Sequence, residues 1–198
     1  STLDLIERAS DAYEVVALTA NCDVEGLAAA AKRVGAKLAV VADESRLPAL
    51  REALAGSGVK AAGGMDAVCE AARMGADWTM AAIVGTAGLK PVMAAIEGGG
   101  TVALANKESL VSAGDVVMRA VADRGATLLP VDSEHNAIFQ CFEADNADKV
   151  SKIILTASGG PFRERSIGEM RGITPEQAVA HPTWSMGATI SVASSTLV

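Results

Sequence analysis

Hydrophobic positions along the chain follow two alternating spacings. Residues 24–36 repeat apolar side chains every three to four positions, which predicts an amphipathic helix, and residues 37–43, "KLAVVAD", form a short apolar run that predicts a buried strand. The same alternation extends from a predicted helix over residues 1–14 to a predicted strand over residues 127–134. This regular order of helix and strand indicates an α/β fold with a parallel, doubly wound sheet.

The pattern continues past this sheet with less regularity. "KIILTASGGPFRE" predicts another strand followed by a loop of small residues, and "TPEQAVA" predicts a helix whose start is marked by Thr and Pro. The run Gly98-Gly99-Gly100 follows a helix and precedes a strand, the reverse of the order in a phosphate-binding turn. We therefore interpret it as a connector that ends a helix.

Charge and composition exclude some classes of partner. The formal net charge is -7 and the sequence pI is about 4.9, so no basic stripe is available to replace the counterions of a nucleic acid. No apolar run approaches the roughly 18 to 20 residues that span a bilayer, and no signal peptide is visible. We expect a cytoplasmic protein with no membrane or nucleic-acid partner.

Cysteine usage adds little chemistry. Cys22, Cys69 and Cys141 are odd in number and scattered, which supports neither a disulfide framework nor a CxxC metal site. We expect them to be small buried thiols in a reducing compartment.

Polar side chains follow the predicted strands. In open α/β sheets the ligand binds beyond the carboxyl ends of the strands, so the residues after each apolar run are the candidates for chemistry. These are residues 19–23, 43–45, 85–88, 106–109 and 132–136.

The segment "VDSEHN" carries the densest set. Asp132 and Glu134 are two positions apart, and alternate residues of an extended segment share a face, so both carboxylates can converge on one cation. Two carboxylates fit an open Mg²⁺ or Mn²⁺ site that leaves positions for water and substrate oxygens. The alternative is a polar loop in which the two acids cap the helix that follows.

Three further clusters each have a functional and a structural interpretation. In "ANKESL", Lys107 can reach an anionic or carbonyl oxygen, or the segment can be an ordinary acidic helix start. Ser158 and the N–H groups of the two glycines after it can form a phosphate nest or a tight turn. His181 and His135 can be catalytic or structural. Because all these clusters fall at one rim of the sheet, together they favour a functional site.

Four motifs resemble one known family. "VALANKESLVSAG", "LLPVDSEHNAIFQCF", "ILTASGGPFRE" and "HPTWSMG" are similar to 1-deoxy-D-xylulose 5-phosphate reductoisomerase, the NADPH-dependent enzyme of the non-mevalonate isoprenoid route, over residues 1 to about 192. The resemblance implies a Rossmann-like NADPH-binding domain over residues 1–128, incomplete at its N-terminus. It also implies an incomplete α/β catalytic domain over residues 129–198, and a homodimer.

The resemblance also implies roles for individual residues. Asp132 and Glu134 match metal ligands, and Lys107 and His181 match catalytic positions. The positions matching substrate contacts are Lys107, Ser133, Glu134, Ser158, His181 and Ser194; those on the cofactor side are Asn21, Cys22, Asp23, Asn106, Glu108 and Gly187; Trp184 and Met186 match a flap over the substrate. The implied reaction is metal-assisted rearrangement of 1-deoxy-D-xylulose 5-phosphate, then reduction by NADPH to 2-C-methyl-D-erythritol 4-phosphate.

Some positions depart from the family pattern. The Gly-rich turn would lie before Ser1, and the basic residue and Asn that suit the 2′-phosphate of NADPH are here Cys22 and Asp23. Thr189 and Ala193 replace a Lys and an Asp, and the third metal-binding Glu lies beyond the chain. We expect this partial chain to have little activity by itself. Two alternatives stay open: a non-catalytic relative that keeps the fold as a binding module, and an unrelated α/β dehydrogenase or metal-dependent lyase.

Overall fold

The structure is a computed structural model that describes residues 2–156, 159–183, 185 and 187–193, without the side chains of 189, 190 and 193. It divides into two compact units, residues 1–132 and 133–198.

The first unit alternates parallel strands with helices. Its strands are β1 (Ala17–Ala20), β2 (Leu38–Val41), β3 (Lys60–Gly63), β4 (Trp78–Ala81), β5 (Thr101–Leu104) and β6 (Thr127–Pro130). Its helices are α1 (Thr2–Arg8), α2 (Val24–Arg33), α3 (Leu47–Ala53), α4 (Met65–Ala72), α5 (Leu89–Gly98) and α6 (Lys107–Arg124), with 3₁₀ turns at Ser10–Ala12, Glu44–Arg46 and Thr86–Gly88. The predicted α/β fold with parallel strands is confirmed.

The strands of this unit form two parallel sheets, ordered β1-β2-β3 and β4-β5-β6. The helix α4 follows β3 and packs against β3, β2 and β1, so it carries the chain back across the first sheet before β4 begins. Within each sheet, strands that follow one another in the chain are neighbours, as expected when each connection between parallel strands contains one helix.

Each sheet has its own apolar cluster. Ala31, Val41 and Leu50 are fully buried around the first sheet, and Ile96, Val102 and Val117 around the second. Burying one such branched aliphatic side chain contributes about 1.5 to 3 kcal/mol. Small residues such as Ala31 on α2 and Ala39 on β2, both fully buried, let the helix and strand layers approach closely.

The strand β3 was missed by the sequence analysis. Its residues, "KAAG", include neither a β-branched nor an aromatic side chain, so the local pattern gives no strand signal. It becomes a strand because Leu38 to Val41 pair with it in parallel along its whole length.

The second unit is mostly irregular, with helices α7 (Ser133–Cys141), α8 (Pro175–Val179) and α9 (Ala188–Ala193) and 3₁₀ turns at Ala144–Lys149 and Glu169–Gly172. The predicted helix at "TPEQAVA" is confirmed: Thr174 and Gln177 cap it reciprocally. The strand predicted at the start of "KIILTASGGPFRE" is wrong for residues 151–156, which form no strand. A strand needs a neighbour for its ladder, and no described residue pairs with this segment.

The expectation that all three cysteines are buried is wrong for Cys22 and Cys141. Only Cys69 is buried, whereas Cys22 and Cys141 are exposed, because one lies in the turn after β1 and the other ends α7 on the surface.

The glycine connector is confirmed: Gly99 caps α5 at φ 78°, a conformation that residues with a side chain rarely adopt. Within the described residues, no helix is both long enough and apolar enough to cross a membrane.

Candidate functional site

The carboxyl ends of β5 and β6 bring Lys107 and Asp132 together. Leu104 lies opposite Pro130 in the ladder, and the Val131 N–H donates to the Leu104 carbonyl at 2.9 Å, so both chains leave the sheet at one edge. Lys107 then begins α6, and its Nζ lies 3.0 Å from Asp132 Oδ2.

This ion pair is partly withdrawn from water. The side chain of Asp132 is 14% exposed and that of Lys107 is 36% exposed. Solvent and salt therefore screen the pair less than they screen a surface ion pair. The edge thus holds a fixed carboxylate beside an ammonium group, which is a suitable arrangement for binding a cation or an anionic oxygen.

Asn106 ties two loops together beside this pair. It is buried and caps α6: its Nδ2 donates to the carbonyls of Ile83 at 2.5 Å and Gly85 at 2.8 Å, and more weakly to Glu108 Oε2 at 3.3 Å. Its Oδ1 accepts hydrogen bonds from the Ser109 N–H, at 3.0 Å, and the Ser109 hydroxyl. The amide predicted to contact a cofactor is therefore engaged within the protein, where it fixes the loop after β4 against the start of α6.

The carboxyl ends of β1 and β2 are also joined beyond the strands. The Asp43 N–H donates to the Asn21 carbonyl at 2.9 Å, which keeps the turn after β2 next to the turn after β1. Asp23, which follows β1, is the N-cap of α2, and its Oδ1 accepts from the Gly26 N–H at 2.9 Å. The predicted cofactor residues Asn21 and Asp23 thus shape this edge through backbone and cap bonds.

A cleft of about 590 Å³ lies along this edge. Its lining comprises Cys22, Asp23, Val24, Glu25, Arg46, Ala49, Glu52 and Ala53. Cys22 and Asp23 were predicted for the cofactor side, whereas Arg46 was missed because it lies one position past the inspected residues 43–45. A basic residue soon after a strand end was the signal that could have found it.

Asp43 organises the turn that carries Arg46. It accepts hydrogen bonds from the Ser45 hydroxyl at 2.6 Å and from the Ser45 N–H at 3.1 Å. These bonds, together with the nearby Arg46 charge, lower the pKa of Asp43 below its ordinary range. The two hydrogen bonds from Ser45 thus close the turn that carries Arg46.

The second unit holds the other predicted residues that the structure describes. Ser133 and Glu134 are the first two residues of α7, so the premise that Asp132 and Glu134 share an extended segment is wrong: the chain has already entered a helix at Ser133. His181 follows α8, and its Nδ1 accepts from the Thr183 N–H at 3.1 Å. Gly187 precedes α9, and its carbonyl accepts from the Ser191 N–H at 3.0 Å.

Several predicted positions lie outside the described residues. These are Ser158, Trp184, Met186 and Ser194, together with the side chains of Thr189 and Ala193. In the part of the chain that is described, no three His, Cys, Asp or Glu side chains form a group that could hold a metal ion. The predicted pair of carboxylates therefore lacks a third protein ligand among these residues.

Two family models match the chain. One, described as 1-deoxy-D-xylulose 5-phosphate reductoisomerase, matches residues 1–114, and the other, described as the C-terminal domain of the same enzyme, matches residues 128–198. Curated relatives carry the same name: the protein of Zymomonas mobilis is 66% identical over 198 residues, and that of Gluconobacter oxydans is 57% identical over 197 residues. This chain covers 51% and 48% of their lengths, about half of each.

Solved structures agree. The structure described as the reductoisomerase of Zymomonas mobilis in complex with NADPH superposes with a TM-score of 0.90 at 63% identity, over 98% of this chain and 50% of that one. Another, of DOX-P reductoisomerase in complex with NADPH, fosmidomycin and magnesium, gives a TM-score of 0.87 at 39% identity, with the same coverage of both chains. The chain therefore belongs to the 1-deoxy-D-xylulose 5-phosphate reductoisomerase family.

Proposed function

We propose that the protein containing this chain converts 1-deoxy-D-xylulose 5-phosphate to 2-C-methyl-D-erythritol 4-phosphate, with NADPH and a divalent metal ion. The observation that carries this proposal is the similarity along the whole chain to proteins of that name, one of which was solved with NADPH, fosmidomycin and magnesium. The Lys107–Asp132 pair supports it, because it lies at the carboxyl edge of the second sheet, where α/β enzymes bind ligands.

The carboxylates suit a magnesium ion. Asp132 and Glu134 would supply hard oxygen ligands, and with two protein ligands the remaining positions of an open octahedral site go to water and substrate oxygens. When bound, the metal would polarise the keto and hydroxyl oxygens of the substrate, and NADPH would supply the hydride. We infer magnesium or manganese, since both accept this type of site.

Within this scheme each predicted site residue has a binding or positioning role. Lys107 would donate to an anionic substrate oxygen from its position beside Asp132, and Asn106 would hold the loop that borders the cofactor. Ser133, Glu134, Ser158, His181 and Ser194 are proposed for the substrate phosphate and hydroxyls, and Asn21, Cys22, Asp23, Glu108 and Gly187 for the cofactor side. Residues 1–128 would bind the cofactor and residues 129–198 the substrate; the homodimer and the cytoplasmic location stay predictions.

The Asp132→Asn variant tests this function. In the full-length protein, we expect this variant to lower kcat/KM by roughly a thousandfold or more. An amide binds the metal weakly, and it leaves Lys107 without its charge partner. The readouts are NADPH oxidation, product identity by mass spectrometry, and magnesium-dependent binding of fosmidomycin by calorimetry.

Asp115→Asn is the control, because this exposed carboxylate of α6 makes no hydrogen bond with any described residue. We expect it to keep full activity. A folded wild-type protein that neither oxidises NADPH nor binds fosmidomycin with magnesium would contradict the proposal and would favour a non-catalytic relative.

A further inference from the structure

The ion pair between Lys107 and Asp132 puts an ammonium group on a carboxylate that is proposed to bind a metal ion. Lys107 Nζ lies 3.0 Å from Asp132 Oδ2, and the Asp132 side chain is only 14% exposed. Mg²⁺ binds a carboxylate oxygen at about 2.1 Å. An ion on the same oxygen would therefore lie within about 5 Å of Nζ, and the two cations would share one negative charge where water screens them only in part.

The side chain of Lys107 can leave Asp132 without moving the helix that carries it. The start of α6 is fixed by the buried Asn106, whose Nδ2 donates to the carbonyls of Ile83 and Gly85 and whose Oδ1 caps the helix. The Lys107 side chain is 36% exposed, and its ammonium group can turn about the bonds of a flexible four-carbon stem. The partner of the ammonium group can therefore change while the backbone stays in place.

Releasing Lys107 from Asp132 has a cost that an anionic ligand lowers. An ammonium group that is partly withdrawn from water is destabilised when its partner is removed, unless another oxygen accepts its hydrogen bonds. The proposed substrate is a sugar phosphate, so its oxygens can replace the carboxylate as acceptors at this edge of the sheet. The position of one lysine thus depends on both ligands of the proposed reaction.

We propose that Lys107 competes with the divalent metal ion for Asp132, and that an anionic substrate ends this competition by drawing the ammonium group to itself. The protein then binds the metal weakly by itself and more tightly together with the substrate. This inference rests on the proposed function in taking a metal ion and a sugar phosphate as the ligands of this edge. By linkage, the metal strengthens substrate binding by the same factor as the substrate strengthens metal binding.

Neutral variants of Lys107 should bind the metal more tightly when no substrate analogue is present. Lys107→Met removes the charge and keeps an unbranched side chain, so we expect Mn²⁺ alone to bind roughly tenfold more tightly than it binds to the wild type. With fosmidomycin bound, the ammonium group has left Asp132 in the wild type as well, so the two proteins should bind Mn²⁺ equally. The factor by which fosmidomycin strengthens Mn²⁺ binding should therefore be about tenfold smaller in the variant.

The test measures Mn²⁺ dissociation constants of the full-length protein with and without fosmidomycin, by calorimetry and by the electron paramagnetic resonance signal of free Mn²⁺. Lys107→Arg keeps a charged donor and should keep the weak binding of Mn²⁺ alone. Lys90→Met is the matched control, because Lys90 is an exposed lysine at the start of α5 that forms no ion pair with any described residue. It removes the same charge, and we expect its Mn²⁺ affinity to stay within about twofold of the wild type.

Lys107→Gln is a second neutral variant, and unfolding in urea shows which variants are folded. A folded neutral variant that binds Mn²⁺ no more tightly than the wild type would overturn the proposal, as would an equal gain in Lys90→Met. The proposed function fails separately, through a wild type that neither oxidises NADPH nor binds fosmidomycin with magnesium. A wild type that does both, with neutral variants of unchanged Mn²⁺ affinity, would contradict the competition alone.

Discussion

Asn106 shows how one buried side chain can organise an edge of the fold through its hydrogen bonds. Its amide donates to two carbonyls of the loop after β4 and accepts from Ser109 on α6. Because donor and acceptor atoms are both used, the side chain cannot be inverted or replaced by an acid without loss. Its neighbour Lys107 owes its position beside Asp132 to the same helix start.

Asn106→Asp should destabilise the protein strongly. A carboxylate oxygen would replace the Nδ2 group and would face the carbonyl oxygens of Ile83 and Gly85, so two hydrogen bonds become repulsive contacts at a buried position. We expect the free energy of unfolding in urea to fall by about 2 to 5 kcal/mol. Asn146→Asp, at a surface turn, should cost less than about 1 kcal/mol. Similar losses for the two variants would show that the Asn106 bonds contribute little.

At this scale the sequence predicted part of the site. Lys107 and Asp132 were identified because each follows an apolar run, a local signal, and the parallel pairing of β5 with β6 then brings them together. The shared face proposed for Asp132 and Glu134 is wrong because the helix begins at Ser133. Helix boundaries are the part of a helix that a sequence pattern predicts least reliably. Arg46, which borders the cleft, was missed although its signal is local, because it lies one position past the residues considered after β2.

At the scale of elements, the junction of β4 and α5 depends on close packing of backbone. Gly88 ends the 3₁₀ turn before α5, and a Cβ added there would lie 2.6 Å from the Ile83 carbonyl oxygen and 2.8 Å from Asn106 Nδ2. Both distances are shorter than a carbon can approach these atoms. The turn, the loop after β4 and the start of α6 thus form one packed corner.

Gly88→Ala should open this corner. We expect a loss of about 1 to 3 kcal/mol in the free energy of unfolding, because the added methyl group meets backbone and a fixed amide that cannot move away. Gly114→Ala in α6 is the control: among the described residues, none outside its own helix turn and chain neighbours lies within 4 Å of the added Cβ, so the change should stay within about 1 kcal/mol and can be stabilising. A Gly88 variant as stable as the wild type would contradict the close packing.

The elements that the sequence predicted are those whose signal is local. Helices α2 and α5 have apolar faces at helical spacing, and each is followed by a glycine with positive φ, Gly35 and Gly99 respectively. The sequence therefore indicated both the helix and the place where it ends. The strand β3 has no local signal, whereas residues 152–155 have the signal of a strand without a described partner. Strand formation depends on the neighbour more than on the segment itself.

At the scale of the whole molecule, acid should weaken the fold. The hydrogen bond from Arg73 Nε to Glu97 at 2.7 Å, which joins α4 to α5, lowers the pKa of Glu97, and Ser45 lowers that of Asp43. A carboxylate whose folded pKa is lowered contributes stability above its unfolded pKa, and this contribution is lost as pH falls through the folded pKa.

The unfolding midpoint in urea should therefore fall between about pH 5 and about pH 3. Glu97→Gln should show a shallower decline over this range, because it removes one of the groups that take up a proton on unfolding. Asp115→Asn, which removes a carboxylate without a hydrogen bond to the described chain, should decline as the wild type does. Parallel curves for Glu97→Gln and the wild type would exclude Glu97 as a source of the acid sensitivity.

At the N-cap of α2, the hydrogen bond that caps the helix and the negative charge of the capping residue can be changed separately. Asp23 accepts the Gly26 N–H, and its second oxygen lies where a side chain at residue 26 would be, so the glycine makes room for the carboxylate. Asparagine caps helices about as well as aspartate. The negative charge of Asp23 is therefore not required by the helix, so Asp23→Asn would remove one charge from the lining of the cleft at little cost in folding.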